Sequence, residues 1–142
     1  MNRPKDLVKV AIPVRRNSDG FPPLEFEWIW AIKRSETTAE IDNVPFFSTW
    51  CYGDLILIEN RDHQYWGVSV IRASGNSTFV LQVPETLSIE EIRSELRARA
   101  LPHEAWAKQR LISVCVPPSS SVADVLALLR ANVSHALRKL DW

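Results

Sequence analysis

The fold is organised around residues Asp42–Ile58, which read DNVPFFSTWCYGDLILI. Asn43-Val44-Pro45 interrupts the preceding segment, because proline fixes its own φ and restricts the residue before it. The aromatic residues that follow keep no period of two, which predicts an irregular crossover or a single helical turn. A turn at Gly53-Asp54 then leads into the apolar run Leu55–Ile58, which is typical of a strand buried on both faces.

Aromatic side chains are concentrated in this crossover, which carries Phe46, Phe47, Trp50 and Tyr52. Most rings in such a run are core residues, but one face of one element cannot bury all of them. We therefore expect one or two to reach the surface, where exposed rings often mark binding sites.

Length and composition limit the class of protein. The chain has 142 residues, of which 46% are hydrophobic, and its formal net charge is zero. These values predict a single globular domain spanning 1–142 and argue against nucleic acid as the main ligand, which requires a basic surface. The sequence has no signal-peptide core or bilayer-spanning window, and its cysteines, Cys51 and Cys115, are far apart. We expect a cytoplasmic protein with reduced thiols and no membrane contact.

The β-rich half, residues 1–83, predicts an antiparallel β-meander, curled into a partly closed small barrel. Its strands are marked by alternating apolar residues between turn signals. The predicted strands are Leu7–Arg16, Leu24–Lys33, Thr37–Ile41, Leu55–Glu59, Gln64–Arg72 and Thr78–Val83.

One row of the second predicted strand contains only large apolar side chains. Trp28 and Trp30 share this row with Leu24, Phe26 and Ile32, because alternate residues of a strand point to the same face. A row this apolar is typical of core, so we expect both tryptophans to be buried.

The α/β half, residues 84–142, switches to a helical period. Ser88 and Glu91 form a capping box, and the helix that they start ends before Pro102. A linker, Leu101–Gln109, leads to a buried strand at Arg110–Val116, and a long helix is predicted from Val122 to Leu140. Thr78–Val83 and Arg110–Val116 are expected to pair in parallel through a right-handed crossover. The predicted class is therefore α+β, with a split βαβα, ferredoxin-like half that shares one core with the barrel.

Three short motifs resemble a bacterial family catalogued as domain of unknown function 4265. They are an acidic residue ahead of an aromatic-Trp-Ala strand (Glu27 to Ala31), an Asn-x-Pro-Phe segment running to a Gly-Asp turn (Asn43 to Asp54), and the turn Ser74–Thr78. The family often has histidine where this chain has Asn76, so a catalytic role of that histidine would be lost here. The resemblance implies no settled activity, and it implies an immunity role only through a loose association with polymorphic toxin genes.

Catalytic and metal-binding patterns are weak. His63 follows Asp62 in a polar turn, His103 lies in the linker, and His135 is expected on the surface of the long helix. Their spacing predicts no metal site, and the glycines form no nucleotide-binding motif, so no cofactor is expected. Two alternatives for catalysis are Cys51 acting with His63 or His103, and a carboxylate pair of Glu25 and Glu27 on one strand face.

The favoured hypothesis is a non-enzymatic module that binds another protein, most plausibly an immunity protein that neutralises a bacterial toxin by direct contact. Aromatic residues anchor protein interfaces, and several here lie in predicted turns and edges. The alternatives are a small-ligand-binding barrel and a small hydrolase using Cys51. The predicted contact residues are Phe47, Trp50, Tyr52, Asp54, Tyr65, Trp66, Glu25 and Glu27.

Overall fold

A computed structural model describes residues 6–14, 16, 18–20, 22, 24–129 and 138–140. Five strands form a closed barrel, and adjacent strands are antiparallel except that β1 runs parallel to β5 and closes it. The predicted N-terminal barrel is confirmed. Its strands are β1 (Leu7–Pro13), β2 (Phe26–Lys33), β3 (Thr38–Ile41), β4 (Leu55–Arg61) and β5 (Gln64–Arg72).

The barrel interior is filled by aliphatic side chains. Strand β4 alternates, with Ile56 and Ile58 buried and Leu55 and Leu57 half-exposed, so the expectation of a strand buried on both faces is wrong. The reason is that a closed barrel gives each strand one interior face and one exterior face. The buried residues of the barrel cluster are Val10, Ile12, Ile29, Ala31, Ala39, Ile41, Ile56 and Ile58.

Strand β2 presents its aromatic row to the outside. Phe26 and Trp28 are both 44% exposed, whereas Ile29 and Ala31 on the opposite face are buried. The prediction that Trp28 is core is therefore wrong, and Trp30 is only half-buried. A barrel of this few strands has room for aliphatic side chains inside but not for a row of indoles.

A four-stranded sheet with order β7-β8-β6-β9 forms the second half of the protein. Each neighbouring pair in this sheet is antiparallel. This order is that of a split βαβ, ferredoxin-like arrangement, which confirms the predicted class. The elements are β6 (Ser77–Gln82), α1 (Ile89–Ala98), β7 (His103–Trp106), β8 (Leu111–Val116), α2 (Val122–Ala127) and β9 (Arg138–Leu140), with a 3-10 turn at Ala107–Gln109.

Two predictions about this sheet are wrong in detail. β6 and β8 pair antiparallel, because β7 lies in the segment that we expected to be a linker. β6 and β7 are the parallel-running pair, and β8 is inserted between them. The predicted long helix ends at Ala127, and its last predicted residues belong to β9. Residues 130–137, including His135, lie outside the described part, so their predicted positions stay predictions.

The two faces of this sheet bury different partners. One face packs against the helices, with Phe79, Leu81, Ile92, Leu96, Ile112 and Val114 among the buried residues. On the other face, Val80 and Leu111 pack against Phe47, which belongs to the connection between β3 and β4. That connection, residues 42–54, is called the crossover below, and it joins the barrel to the sheet.

Candidate functional site

The crossover continues along the edge of β2 after the β2–β3 ladder ends. The Asp42 amide donates to the Trp30 carbonyl at 2.9 Å, and the Trp30 amide donates to Asn43 Oδ1. Pro45 has no amide hydrogen to continue the ladder. Asn43 Oδ1 takes the place of the backbone carbonyl that would accept from the Trp30 amide in a regular ladder. The crossover therefore stays irregular, as predicted.

The carboxylate of Glu27 holds the next part of the crossover. Its Oε2 accepts a hydrogen bond from the Phe46 amide at 2.6 Å, and its Oε1 accepts from the amides of Phe47 at 2.9 Å and Ser48 at 3.2 Å. Burial of this carboxyl group raises its pKa above the usual value, and the three amide donors act in the opposite direction. Glu27 is thus a structural anchor that lies in a desolvated position.

The opposite side of the crossover is bound to the C-terminal sheet. Ser113 Oγ donates to the Val44 carbonyl at 2.7 Å, and Asn43 Nδ2 donates to Glu104 Oε1 at 2.8 Å. Phe47 is only 4% exposed, so the expectation that it lies on the surface is wrong. Its ring packs between the barrel and the four-stranded sheet.

The Gly53-Asp54 turn is also fixed by buried bonds. The Asp54 carboxylate accepts from the Cys51 amide at 2.9 Å and from the amide and hydroxyl of Ser74 at 2.8 and 2.9 Å. Asn76 Nδ2 donates to the Tyr52 carbonyl at 2.8 Å. Asp54 is 5% exposed, so its carboxylate serves this turn and not a surface contact.

Trp50 lies against the barrel, not in solvent. It packs on the barrel cluster as a half-buried residue, and its ring lies directly over Gly67 of β5. A Cβ atom at Gly67 would lie 2.6 Å from Trp50 Cζ3. The indole therefore covers the barrel at Gly67, which has no side chain of its own.

Two exposed rings, Phe26 and Trp28, and the half-buried ring of Trp66 lie together on the outer face of the barrel. The ring centroids of Phe26 and Trp66 are 4.9 Å apart and those of Trp28 and Trp66 are 5.9 Å apart. Ala11 pairs with both Trp28 and Trp66 and is 1% exposed beneath them. We call Phe26, Trp28 and Trp66 the aromatic surface. The sequence pattern predicts a contact role for Trp66, whereas it predicts Phe26 and Trp28 to be core residues.

The other predicted contact residues are separated from this surface to different degrees. Tyr65 is half-buried with Lys33 Nζ 5.4 Å from its ring centroid. Tyr52 is half-buried in the crossover. Glu25 is exposed just before β2, whereas the Glu27 carboxylate is half-buried and accepts from the amides of the crossover.

A groove separates β2 from β7, and Glu27, Trp28, Phe46 and Ala105 line both of its lobes. We call it the β2–β7 groove. One lobe has a volume of about 270 Å³ and the other about 370 Å³. The first is completed by Lys9, Ile29, Trp30, Asn43, Val44 and Glu104, and the second by Leu24, Phe26, Phe47 and Trp106.

Comparison with known proteins supports the resemblance in the motifs. Residues 27–138 match the family described as "Domain of unknown function (DUF4265)". The chain belongs to this DUF4265 family. A structure described as "Novel crystal structure of a hypothetical protein from Neisseria gonorrhoeae" has 18% sequence identity and a TM-score of 0.70, covering 97% of this chain and 95% of that chain. At this identity the likeness shows a shared fold alone. No curated protein matches the chain significantly.

Neither comparison assigns this DUF4265 protein to an enzyme class. Its family motifs instead contain the residues that fix the crossover: Glu27, Asn43, Asp54, Ser74 and Asn76. Asn76, which stands where the family often has histidine, binds a backbone carbonyl. In this chain the motif residue thus supports the crossover.

Both thiols of this DUF4265 protein have raised pKa values, which disfavour the nucleophilic thiolate. Burial raises the pKa of Cys51, and burial raises that of Cys115 to about 11. Cys51 Sγ donates to the Thr49 carbonyl at 3.6 Å, and within the described residues neither His63 nor His103 bonds to it. The same residues contain no group of three His, Cys, Asp or Glu side chains that could hold a metal ion. They also include no helix long and apolar enough to cross a bilayer.

Alkylation of Cys51 and Cys115 by iodoacetamide is expected to be slow at pH 7 in the folded protein and fast after denaturation. The reason is that the thiolate is the reacting species and both thiols have raised pKa values. Mass spectrometry of timed samples measures both rates. Selective labelling of Cys51 at pH 7 within minutes would contradict this expectation and would revive the hydrolase alternative.

Proposed function

We propose that this DUF4265 protein is a protein-binding module that contacts its partner through the aromatic surface, and that it acts as an immunity protein against a bacterial toxin. The observation that carries the proposal is the exposure of Phe26 and Trp28, each 44%, next to Trp66. Tryptophan and phenylalanine in such positions are the residues that most often anchor protein interfaces.

The aromatic surface is well held for binding. Its rings come from the regular strands β2 and β5, and both strands pair with β1 between them. Contacts between the rings further restrict their orientation. A surface that is ordered before binding loses little conformational entropy on association, which favours affinity.

The small-ligand barrel receives less support. The interior of the barrel is filled by buried aliphatic residues from β1 to β4, and Trp50 lies over Gly67. Ligand cavities in small barrels require an interior that side chains leave open. The concave regions described here lie outside the barrel, between β2 and β7.

A toxin is the partner suggested by the family resemblance. Since the formal net charge of the chain is zero, long-range attraction to a basic toxin would have to come from a local acidic region. The described candidates for such a region on the barrel half are Glu25, Glu36, Glu40 and Asp42, with Glu59 and Asp62 further along the chain.

Trp28→Ala and Trp66→Ala are expected to weaken association with the partner by roughly 30-fold each, which is the effect of removing an interface anchor. The partner to test is the product of a neighbouring toxin gene, by co-purification, titration calorimetry and protection of cells on co-expression. Trp28→Ala is expected to leave the melting temperature nearly unchanged, because the ring is exposed at 44%.

Ile71→Ala provides the matched control, since Ile71 is 51% exposed on β5 and lies outside the aromatic surface. It is expected to bind as the wild type does. The proposal fails if the two wild-type proteins do not associate at micromolar concentration and co-expression gives no protection.

A further inference from the structure

We propose that the β2–β7 groove receives an arginine side chain of the protein partner. This inference rests on the proposed protein-binding function and names the chemistry by which one part of the interface would be recognised. It follows from the aromatic walls of the groove, from two carboxylates that have no basic partner among the described residues, and from the position of Lys9.

Aromatic rings form the walls of the groove on both sides. Trp28 and Trp30 come from β2, Phe46 comes from the crossover, and Trp106 comes from the end of β7. Trp28 and Trp106 are 44% and 38% exposed, so their rings are accessible to a ligand. Faces of tryptophan attract cations, and guanidinium groups stack on them readily.

Two carboxylates lie in the groove between these rings. Glu27 accepts hydrogen bonds from three backbone amides, two on Oε1 and one on Oε2, which leaves one acceptor site on Oε2. Glu104 accepts from Asn43 through Oε1, and its Oε2 accepts no hydrogen bond from the described residues. Both residues therefore keep acceptor capacity, and both line the groove.

Neither carboxylate has a basic partner within the described part of the chain. Among the described residues, no lysine or arginine forms an ion pair with Glu27 or Glu104. A carboxylate that is desolvated without a counter-charge is uncommon in proteins, because the charged form loses its hydration. A cation that enters the groove would supply the missing charge, so the groove is complementary to a basic ligand.

Lys9 shows that the groove wall accommodates a cation at one end. Its ammonium nitrogen lies 5.7 Å from the centroid of the Trp30 ring, and the residue lines the same lobe as Glu104. Because its charge repels a second cation, Lys9 lowers the affinity of the groove for a cationic ligand. This arrangement gives opposite signs for the effects of removing the acidic and the basic groups.

Arginine fits the groove better than lysine does. Its planar guanidinium carries five donors in a fixed fork, which can bond to two carboxylate oxygens while its face stacks on an indole. Lysine carries a compact, strongly hydrated ammonium and does not stack in this way. The groove is lined by two glutamates and three tryptophans, which are the groups that bind a guanidinium in this way.

The experiment titrates the isolated protein with N-acetyl-arginine amide and follows the indole N–H signals of Trp28, Trp30 and Trp106 by NMR. N-acetyl-citrulline amide, which has nearly the same shape but no charge, is the matched ligand control. We expect arginine to bind with a dissociation constant on the order of millimolar, as suits one side chain, and to bind roughly five- to ten-fold more tightly than citrulline.

Two variants test whether the acidic and the basic group change the affinity for arginine in opposite directions. Glu104→Gln is expected to weaken arginine binding roughly five-fold, and Lys9→Met is expected to strengthen it by a similar factor. Glu36→Gln, whose side chain is 94% exposed in the β2–β3 turn, is the control and should change nothing. Equal binding of arginine and citrulline, equal binding of N-acetyl-lysine amide, or indifference to Glu104→Gln and Lys9→Met would overturn the inference.

The outcome is independent of the partner experiment. Glu104 and Lys9 lie outside the aromatic surface, and the ligand is tested without a partner protein. Arginine binding in the groove without association of the toxin-gene product would reject the proposed toxin partner and leave the recognition of arginine by the groove standing. Partner association that Glu104→Gln leaves unchanged, together with no arginine binding, would reject the groove inference alone.

Discussion

Glu27→Ala is expected to lower the free energy of unfolding by about 3–5 kcal/mol, because three backbone amides lose their acceptor together. These are the amides of Phe46, Phe47 and Ser48, which the carboxylate holds at 2.6, 2.9 and 3.2 Å. Residues 46–48 of the crossover would lose their attachment to β2 in the same step, whereas the bonds of Asp42 and Asn43 to Trp30 would remain. Chemical denaturation followed by tryptophan fluorescence measures the change.

Glu25→Ala is the matched control for this experiment. Glu25 is an exposed carboxylate two residues earlier in the chain and is expected to change stability by less than about 0.5 kcal/mol. Equal effects at the two positions would show that Glu27 does not anchor the crossover. Glu27→Gln is expected to fall between them, since one amide oxygen can still accept from the crossover.

The comparison of wild type with Glu27→Gln is also expected to depend on pH. The pKa of Glu27 is raised in the folded state by burial, so folding is favoured by protonation of this group. The stabilisation of the folded state by protonated Glu27 is fully present below the pKa of the unfolded state. It is lost as the pH rises through the pKa of the folded state. The stability advantage of the wild type over Glu27→Gln should therefore be larger at pH 4 than at pH 7. A larger advantage at pH 7 would show that the amide donors outweigh burial.

Gly67→Val is expected to destabilise the protein by about 3 kcal/mol, because the added side chain would overlap the Trp50 ring. A Cβ atom alone would lie 2.6 Å from Trp50 Cζ3 and 3.1 Å from Ile12 Cγ2. The backbone at Gly67 has no positive φ, so space and not conformation requires the glycine. Thermal and urea denaturation both measure the loss.

A second substitution, at Trp50, tests whether the contact with its ring causes the loss. Trp50→Leu shortens the side chain over Gly67, so the double variant should lose less stability than the sum of the two single variants. Ser69→Val adds the same side chain at an exposed position of the same strand and should be nearly neutral. Additive losses in the double variant would place the cause of the Gly67→Val effect elsewhere.

The barrel could be predicted from the sequence because its strands alternate and are separated by turn residues. Which face of a strand is interior could not be predicted in the same way. On β2 the row of Trp28 and Trp30 is the more apolar one, yet Ile29 and Ala31 of the other row face the interior. The choice depends on the radius of the closed barrel, which arises from the pairing of all five strands.

Strand β7 shows a second limit of sequence analysis. Its four residues, His103–Trp106, follow Pro102 and have no apolar alternation that would mark a strand. Its pairing with β8 supplies the order that local propensity lacks. Missing this strand led to the wrong parallel pairing of β6 and β8.

The candidate site was visible only in part. The crossover and the motif residues Glu27 and Asn43 could be singled out from the sequence, but their bonds could not. Asn43 binds Glu104 across 61 residues of the chain, and Ser113 binds Val44 across 69. Such contacts exist only once both sheets are in place, so neither local pattern nor composition contains them.

The position of the crossover also suggests an order of events during synthesis on the ribosome. All barrel strands lie within residues 7–72, and Glu27 reaches the crossover across only 19–21 residues, so this half can close first. The outer side of the crossover then waits for Glu104 and Ser113 to be translated. During that interval Phe47 has no cover from the sheet, and the nascent chain presents it to solvent. A chain released before β8 is made would expose this hydrophobic segment and become a substrate for chaperones. In the complete protein the sheet buries it.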